Sequence, residues 1–302
     1  MKLGIGIDLG GTNIKAMAFD LELGTEMART TGPTRDGESI DGEPAFAVGV
    51  RQVLRELHEE VGETASVVGL SAPGLSDKAH TCIRFLPNRL EGLENLDWAA
   101  FLGLPRVAVL NDAHSALMGE VWQGAARGVD EVFLLTLGTG VGGAIVSGGR
   151  LLTGQIGRAG HLGHISLDAD GEPTICGTPG GLEVLVGDCT VEKRTNGRFD
   201  STRALVEAML AGDAEAQGYW DETMKHLAVG IAGLINVLDP EVIILGGGIT
   251  KAGDALFAPL EDKLAKIEWR PNHHKVKIKP AELGEWAGCY GAVHFGRMKF
   301  EG

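Results

Sequence analysis

Asp8-Leu9-Gly10-Gly11-Thr12-Asn13-Ile14-Lys15 is the stretch on which the reading of this chain turns. Ahead of it, Leu3 to Leu9 reads as a buried strand. Behind it, Ile14 to Phe19 reads as a second strand, so the glycine pair sits at the tip of a hairpin. Glycines at such a tip let backbone N–H groups approach phosphate oxygens with no Cβ in the way. Thr12 adds a hydroxyl donor. Asp8, at the strand end, can hold Mg²⁺ through water, where the ion offsets the charge of a triphosphate. An ordinary hairpin with a Gly-Gly turn is the alternative reading of the octapeptide taken alone.

Two further loops weigh against that alternative. Leu137-Gly138-Thr139-Gly140-Val141-Gly142-Gly143 lies between a strand at Glu131–Thr136 and a return strand at Ala144–Ser147. It contains a GxGxxG-like string, but a strand follows it and not a helix, so the dinucleotide-binding reading loses its required context. Strand, glycine-rich tip, strand repeats the first hairpin, which reads as a fold-level duplication. Leu245-Gly246-Gly247-Gly248-Ile249 ends a third strand, Val242–Leu245, and leads to a helix near Ala255–Ile267. Three such loops in one chain point to a nucleotide.

The rest of the chain fits α/β architecture. Ala45 to Val61 is a helix with Val50, Val53, Leu54 and Leu57 on one face. Val67–Leu70 is a short strand, and Val107–Leu110 is a strand running into Asn111-Asp112, followed by a helix from Ala113 to Gly124. Residues 154–190 read as loops and short elements, Ser201 to Leu238 as helices, Val276–Ile278 as a late strand and Ala287–Met298 as a short helix.

At roughly 150 residues per domain, 302 residues suggest two domains. The net charge is −14, from 27 basic and 41 acidic residues, which argues against a nucleic-acid partner, because phosphate backbones recruit Lys and Arg in excess. The four cysteines, Cys82, Cys176, Cys189 and Cys289, form no CxxC pair and suggest a reducing compartment. Asp8 comes too early for a secretory leader. The apolar stretch Leu227–Leu238 is shorter than the ~20 residues of a membrane helix. A soluble, cytoplasmic protein with no membrane partner is expected.

The order DLGGTNIK, NDA, LGTGVGG, GHLGH and INVLDPEVIILGGGI resembles the ROK family of sugar kinases and related repressors, from about Leu3 to Gly291. The resemblance implies an α/β, two-domain actin/hexokinase-like (ribonuclease H-like) fold with ATP and sugar in the interdomain cleft. It also implies Mg²⁺ and a homodimer or higher homo-oligomer. Residues 1–112 would form the N-terminal domain, completed by the helix 286–302, and residues 113–285 the C-terminal one. The implied nucleotide contacts are Asp8, Gly10, Gly11, Thr12, Asn13 and Lys15 on the first hairpin, Gly138, Thr139 and Gly140 on the second loop, and Gly246, Gly247 and Gly248 on the third. The reaction implied is ATP-dependent phosphorylation of a hydroxyl on a hexose-like sugar.

A sugar hydroxyl needs a base to accept its proton during phosphoryl transfer. Asp112 has the chemistry, and the resemblance assigns it that role, with Asn111 orienting hydroxyls. On the residues alone, Asn111-Asp112 reads equally well as a helix cap. His114 stands where the family carries Asn. In Gly160-His161-Leu162-Gly163-His164, His164 matches a family His near the sugar, while His161 replaces a Glu that hydrogen-bonds sugar hydroxyls. Glu183 matches a further sugar-binding Glu. Of the family's three zinc thiolates only Cys176 is present, with Thr174 and Gly181 at the other places, so no intact zinc site is expected. Two non-enzyme readings stand beside the kinase. A repressor would need a DNA-binding segment ahead of the hairpin. A non-catalytic sugar- and nucleotide-binding protein with a regulatory role would need no Asp112.

Overall fold

β-Branched and aliphatic residues from Leu3 to Leu9 leave almost nothing of that strand in contact with water, which places it at the centre of a sheet. The computed structural model describes residues 2–301; the end residues of the expected domain spans, 1 and 302, lie outside the described residues.

Strand β1 (Leu3–Leu9) pairs antiparallel with β2 (Asn13–Asp20), from Leu3↔Asp20 to Leu9↔Ile14. Next comes β3 (Thr25–Pro33), antiparallel to β2 with a bulge between Ala18 and Phe19. A two-residue ladder, β4 (Ser39–Ile40) with β5 (Glu43–Pro44), leads into helix α1 (Ala45–Val61). This helix buries Val50, Val53, Leu54 and Leu57, and stops at Gly62 in the left-handed conformation (φ 76°). Then follow β6 (Val67–Ala72), β7 (Leu75–Ser76), β8 (Ile83–Phe85), α2 (Trp98–Leu102), β9 (Val107–Asn111) and α3 (Asp112–Gln123). The second half runs β10 (Val132–Leu137), β11 (Val141–Ser147), β12 (Arg150–Leu151), α4 (Leu182–Val186), α5 (Val191–Arg194), α6 (Thr202–Leu210) and α7 (Ala214–Leu238). It ends with β13 (Val242–Gly246), α8 (Asp254–Ile267), β14 (Lys277–Pro280) and α9 (Ala287–Glu301).

Two five-stranded sheets result, ordered β3-β2-β1-β6-β9 and β12-β11-β10-β13-β14. In each, an antiparallel hairpin with a glycine tip stands beside a parallel strand: β1 against β6, and β10 against β13. The duplication read from sequence is therefore present in the strand order.

The chain divides into two compact units. The first runs to Gly128 and also takes Thr153–Ala159 and everything from Glu282 on; the second holds Val129–Leu152 and Gly160–Ala281. This differs from the expected division after Asp112, because α3 packs on α9. Gly291 of α9 lies so close to Ser115 O and Gly119 N of α3 that a Cβ there would overlap them. The sheet receives α9 in the same way: a Cβ on Gly6 would meet Cys289 O, and one on Gly69 would meet Ala292 O. The return to the first unit begins at Glu282 and not at residue 286. The buried Glu120 carboxylate accepts from Glu282 N (3.0 Å), Leu283 N (2.9 Å) and Ala125 N (2.8 Å). Thr153–Ala159 is held by His114, whose Nε2 lies 2.9 Å from Ala159 O, and by the close approach of Gly157 to Ser76 O.

Candidate functional site

In the first unit, β1, β6 and β9 run parallel and end together, with Asp8 opposite Ser71 and Ala72 opposite Asn111. Ligands of open α/β sheets gather at such carboxyl ends. Asp8 is partly buried there, and Ser71 Oγ donates to its Oδ1 at 2.6 Å. Burial pushes the Asp8 carboxyl from 3.8 up to about 6; Ser71 opposes the shift, the charge of Asp112 adds to it, and Lys15 opposes it. A carboxylate held short of compensating charge suits Mg²⁺, which takes one or two carboxylates and leaves its other positions to water and phosphate oxygens.

The hairpin tip is built for exposed N–H groups. Gly10 N donates to Asn13 O at 3.0 Å, and a Cβ on Gly10 would press on that oxygen. The buried Thr34 locks the tip from behind: its Oγ1 donates to Gly10 O at 2.7 Å and its N to Thr12 O at 2.9 Å. Gly11, Thr12 and Asn13 face solvent. Lys15 is turned to Glu285, 2.9 Å from its carboxylate and 3.1 Å from its carbonyl.

Asp112 opens α3 with its side chain exposed, its Oδ1 accepting from Ala113 N at 2.8 Å. Asn111 is the N-cap: its Oδ1 accepts from Ala113 N and His114 N, and its Nδ2 donates to Gly74 O at 3.0 Å. Both readings of Asn111-Asp112 thus have material, with the cap formed by Asn111 and the exposed carboxylate carried by Asp112.

In the second unit the remaining candidates gather around β11. Glu183, in the first turn of α4, accepts from Val141 N at 3.0 Å, and a Cβ on Gly140 would strike its carboxylate. The loop is further tied by Asp188 N to Gly138 O (3.0 Å) and Cys189 N to Thr139 O (2.8 Å). Glu183 therefore braces the second glycine loop, a contact that sequence reasoning missed because its partner is backbone. The third loop sits beside the second: Gly247, at φ 90°, packs against Leu137 O where no Cβ fits. His161 precedes and His164 ends a short 3₁₀ turn, Leu162–His164, whose Gly163 packs on Val141 O.

His164 Nε2 lies 3.5 Å from Cys176 Sγ. The buried Thr174 holds that turn instead of coordinating, its Oγ1 accepting from Cys176 N and Thr178 N, both at 3.3 Å. Its methyl fills the space a side chain at Gly181 would need. Among the described residues no three His, Cys, Asp or Glu side chains are placed to share a metal ion, so Cys189 does not join His164 and Cys176. Sequence reading also passed over Ser71 and Thr34; Ser71, in Ser71-Ala72-Pro73-Gly74 at a strand end, was the more findable.

Residues 4–298 match the ROK family. Glucokinase of Thermotoga maritima is 32% identical over 309 aligned residues, covering 96% of this chain and 95% of its own. The crystal structure of a ROK hexokinase from Thermus thermophilus superposes with a TM-score of 0.85 at 30% identity, with 98% of each chain covered. A ROK glucokinase from Streptomyces griseus, solved with glucose and AMPPNP, superposes with a TM-score of 0.77 at 30% identity, over 98% of this chain and 99% of its own. The two α/β units have the actin/hexokinase-like fold of these proteins. Matched by the family over nearly its whole length, the chain belongs to the ROK family.

Proposed function

We propose that the chain is an ATP-dependent sugar kinase. Asp112 accepts the proton of a hexose hydroxyl as that oxygen bonds to the γ-phosphorus of ATP. The bond from that phosphorus to the bridging oxygen breaks, and ADP and a sugar phosphate leave. The observation that carries the reading is one pair of carboxylates beside an exposed glycine tip: Asp8 near the end of β1 and Asp112 directly after β9, the two strands that flank β6, with the charge of Asp112 acting on Asp8. Mg²⁺, when bound, would neutralise triphosphate charge, and Asp8 would hold it. The tip residues Gly10, Gly11, Thr12 and Asn13 offer N–H and side-chain donors to phosphate, and Gly138, Thr139, Gly140, Gly246, Gly247 and Gly248 are proposed as further nucleotide contacts. His161, His164 and Glu183 are proposed for the sugar side, Glu183 with the added work of bracing Gly140 and Val141. The names of the relatives, hexokinase and glucokinase, support a hexose as acceptor.

ADP release with Mg-ATP and a panel of glucose, mannose, fructose and N-acetylated hexosamines tests this. At least one sugar should release ADP, and Asp112→Asn should lower its kcat by roughly 10²–10⁴-fold while ATP still binds. Retention of more than about a tenth of wild-type kcat would place the base elsewhere. Binding of sugar and nucleotide with no ADP release would favour the non-catalytic reading.

A further inference from the structure

The loop between β8 and α2 carries Arg89 between two residues with positive φ, Asn88 at 62° and Leu90 at 47°. Asn adopts that conformation readily, whereas a bulky residue such as Leu does so only when its surroundings impose it. Here they do. The Leu90 side chain is buried in the core of the first unit, and its N–H donates to Asp36 Oδ1 at 2.9 Å. Glu94 Oε1 accepts from Leu86 N at 2.6 Å and closes the same loop. Strain held in this way is a pointer to function, since nothing in a plain connection requires it.

What the loop achieves is the placement of one guanidinium. Arg89 is exposed, and its Nη2 lies over Gly11 so closely that a Cβ on Gly11 would collide with it. Among the described residues Arg89 makes no hydrogen bond or ion pair, although Glu91 and Glu94 share its loop. Lys15, which lies on the hairpin itself in β2, is committed to Glu285. The glycine tip therefore presents backbone N–H groups together with one uncommitted, fork-shaped donor. That donor geometry matches phosphate oxygens, which guanidinium groups bind two at a time.

We propose that Arg89 is a phosphate-binding residue of the first glycine hairpin, contacting the γ-phosphoryl group of ATP as it moves to the sugar. The proposal rests on the reading of that hairpin as the triphosphate site. Charge in the transferring group spreads over its outer oxygens, and a guanidinium carried beside the tip is placed to stabilise it there. Gly11 then has a second reason to be glycine, because a larger residue would push the guanidinium off the tip.

The experiment uses the whole chain and its Arg89→Ala, Arg89→Lys and Gly11→Ala variants. Calorimetric binding of inorganic tripolyphosphate with Mg²⁺ and of adenosine is measured together with steady-state kcat and thermal stability. Arg89→Ala should weaken tripolyphosphate binding by about tenfold or more and lower kcat by roughly 10²-fold. Adenosine binding and melting temperature should stay unchanged. Arg89→Lys should recover part of the loss, and Gly11→Ala should reproduce it with the arginine still present. Equal tripolyphosphate affinity in wild type and Arg89→Ala overturns the proposal, even if kcat falls. A wild type that turns over sugar while Arg89→Ala matches it in affinity and rate leaves the kinase reading standing and removes Arg89. A wild type that releases no ADP with any sugar, yet binds tripolyphosphate in an Arg89-dependent way, does the reverse.

Discussion

Single residues in this protein are defined by what presses on their charge. Asp8 resists ionisation because water is partly excluded around it and Asp112 stands near, and only Ser71 and Lys15 offset this. His294 shows the opposite sign. Burial, with the charge of Arg297 added, holds its imidazole down to about 4, and its ring stacks on Trp122 with centroids 5.3 Å apart. The folded chain thus binds this proton less readily than the unfolded chain, whose His titrates near 6.5. Stability from this site is complete above about 6.5 and is lost as pH falls towards 4, by about 2–3 kcal/mol. Denaturant titrations between pH 7 and 4 should show that slope. His294→Phe, which keeps an aromatic ring against Trp122, should remove this part of it; identical slopes in the two proteins would mean that His294 takes up its proton without cost.

At the scale of elements, glycine decides how closely α9 can lie. Gly6 and Gly69 open the sheet face to the carbonyls of Cys289 and Ala292, and Gly119 and Gly291 let α3 and α9 touch along their backbones. The obstacle at Gly69 is backbone, which cannot swing aside as a side chain would. Gly69→Ala should therefore cost about 3 kcal/mol or more, or prevent folding. Gly218, on the exposed face of α7, has open space where a Cβ would go. Gly218→Ala should stabilise by about 0.5–1 kcal/mol through helix propensity alone. Urea midpoints of the two variants should move in opposite directions; a shift of Gly69→Ala within about 0.5 kcal/mol of wild type would contradict the contact. Asn111 is a similar case, because its buried side chain caps α3 and also reaches Gly74 O. Asn111→Ala should cost about 2 kcal/mol, read from a lowered midpoint with unchanged denaturant slope.

For the whole molecule the sharpest expectation concerns metal content. A structural zinc site supplies folding free energy to its surroundings. In this chain the turn around Cys176 is closed by other means: Thr174 N donates to Thr178 O at 2.8 Å, Gly177 N to Thr174 O at 2.9 Å, and Pro173 bridges to Pro179. The purified protein, made without metal-affinity tags, should carry far less than one zinc per chain, and chelators should leave its melting temperature unchanged. Elemental analysis giving about one zinc per chain would mean that His164 and Cys176 recruit ligands not placed beside them in this structure.

Strand, glycine tip, strand was legible twice over, because hydrophobic runs and turn glycines act within a few residues. α1 was read to its ends for the same reason, from its apolar face. Strand β3 was not read: it lies at a sheet edge with Ala28 its one fully buried residue, so its composition carries no strand signal. The sequence by itself determined the α/β class, the three glycine loops, the family resemblance and the pair Asn111-Asp112. Only the tertiary structure decided which unit owns α3, that Glu183 braces the second loop, that Thr174 closes the turn around Cys176, and that Arg89 overlies Gly11. Each of these depends on groups brought together from distant parts of the chain, often with backbone as one partner, and a backbone N–H or C=O has no letter in the sequence to betray what it will meet.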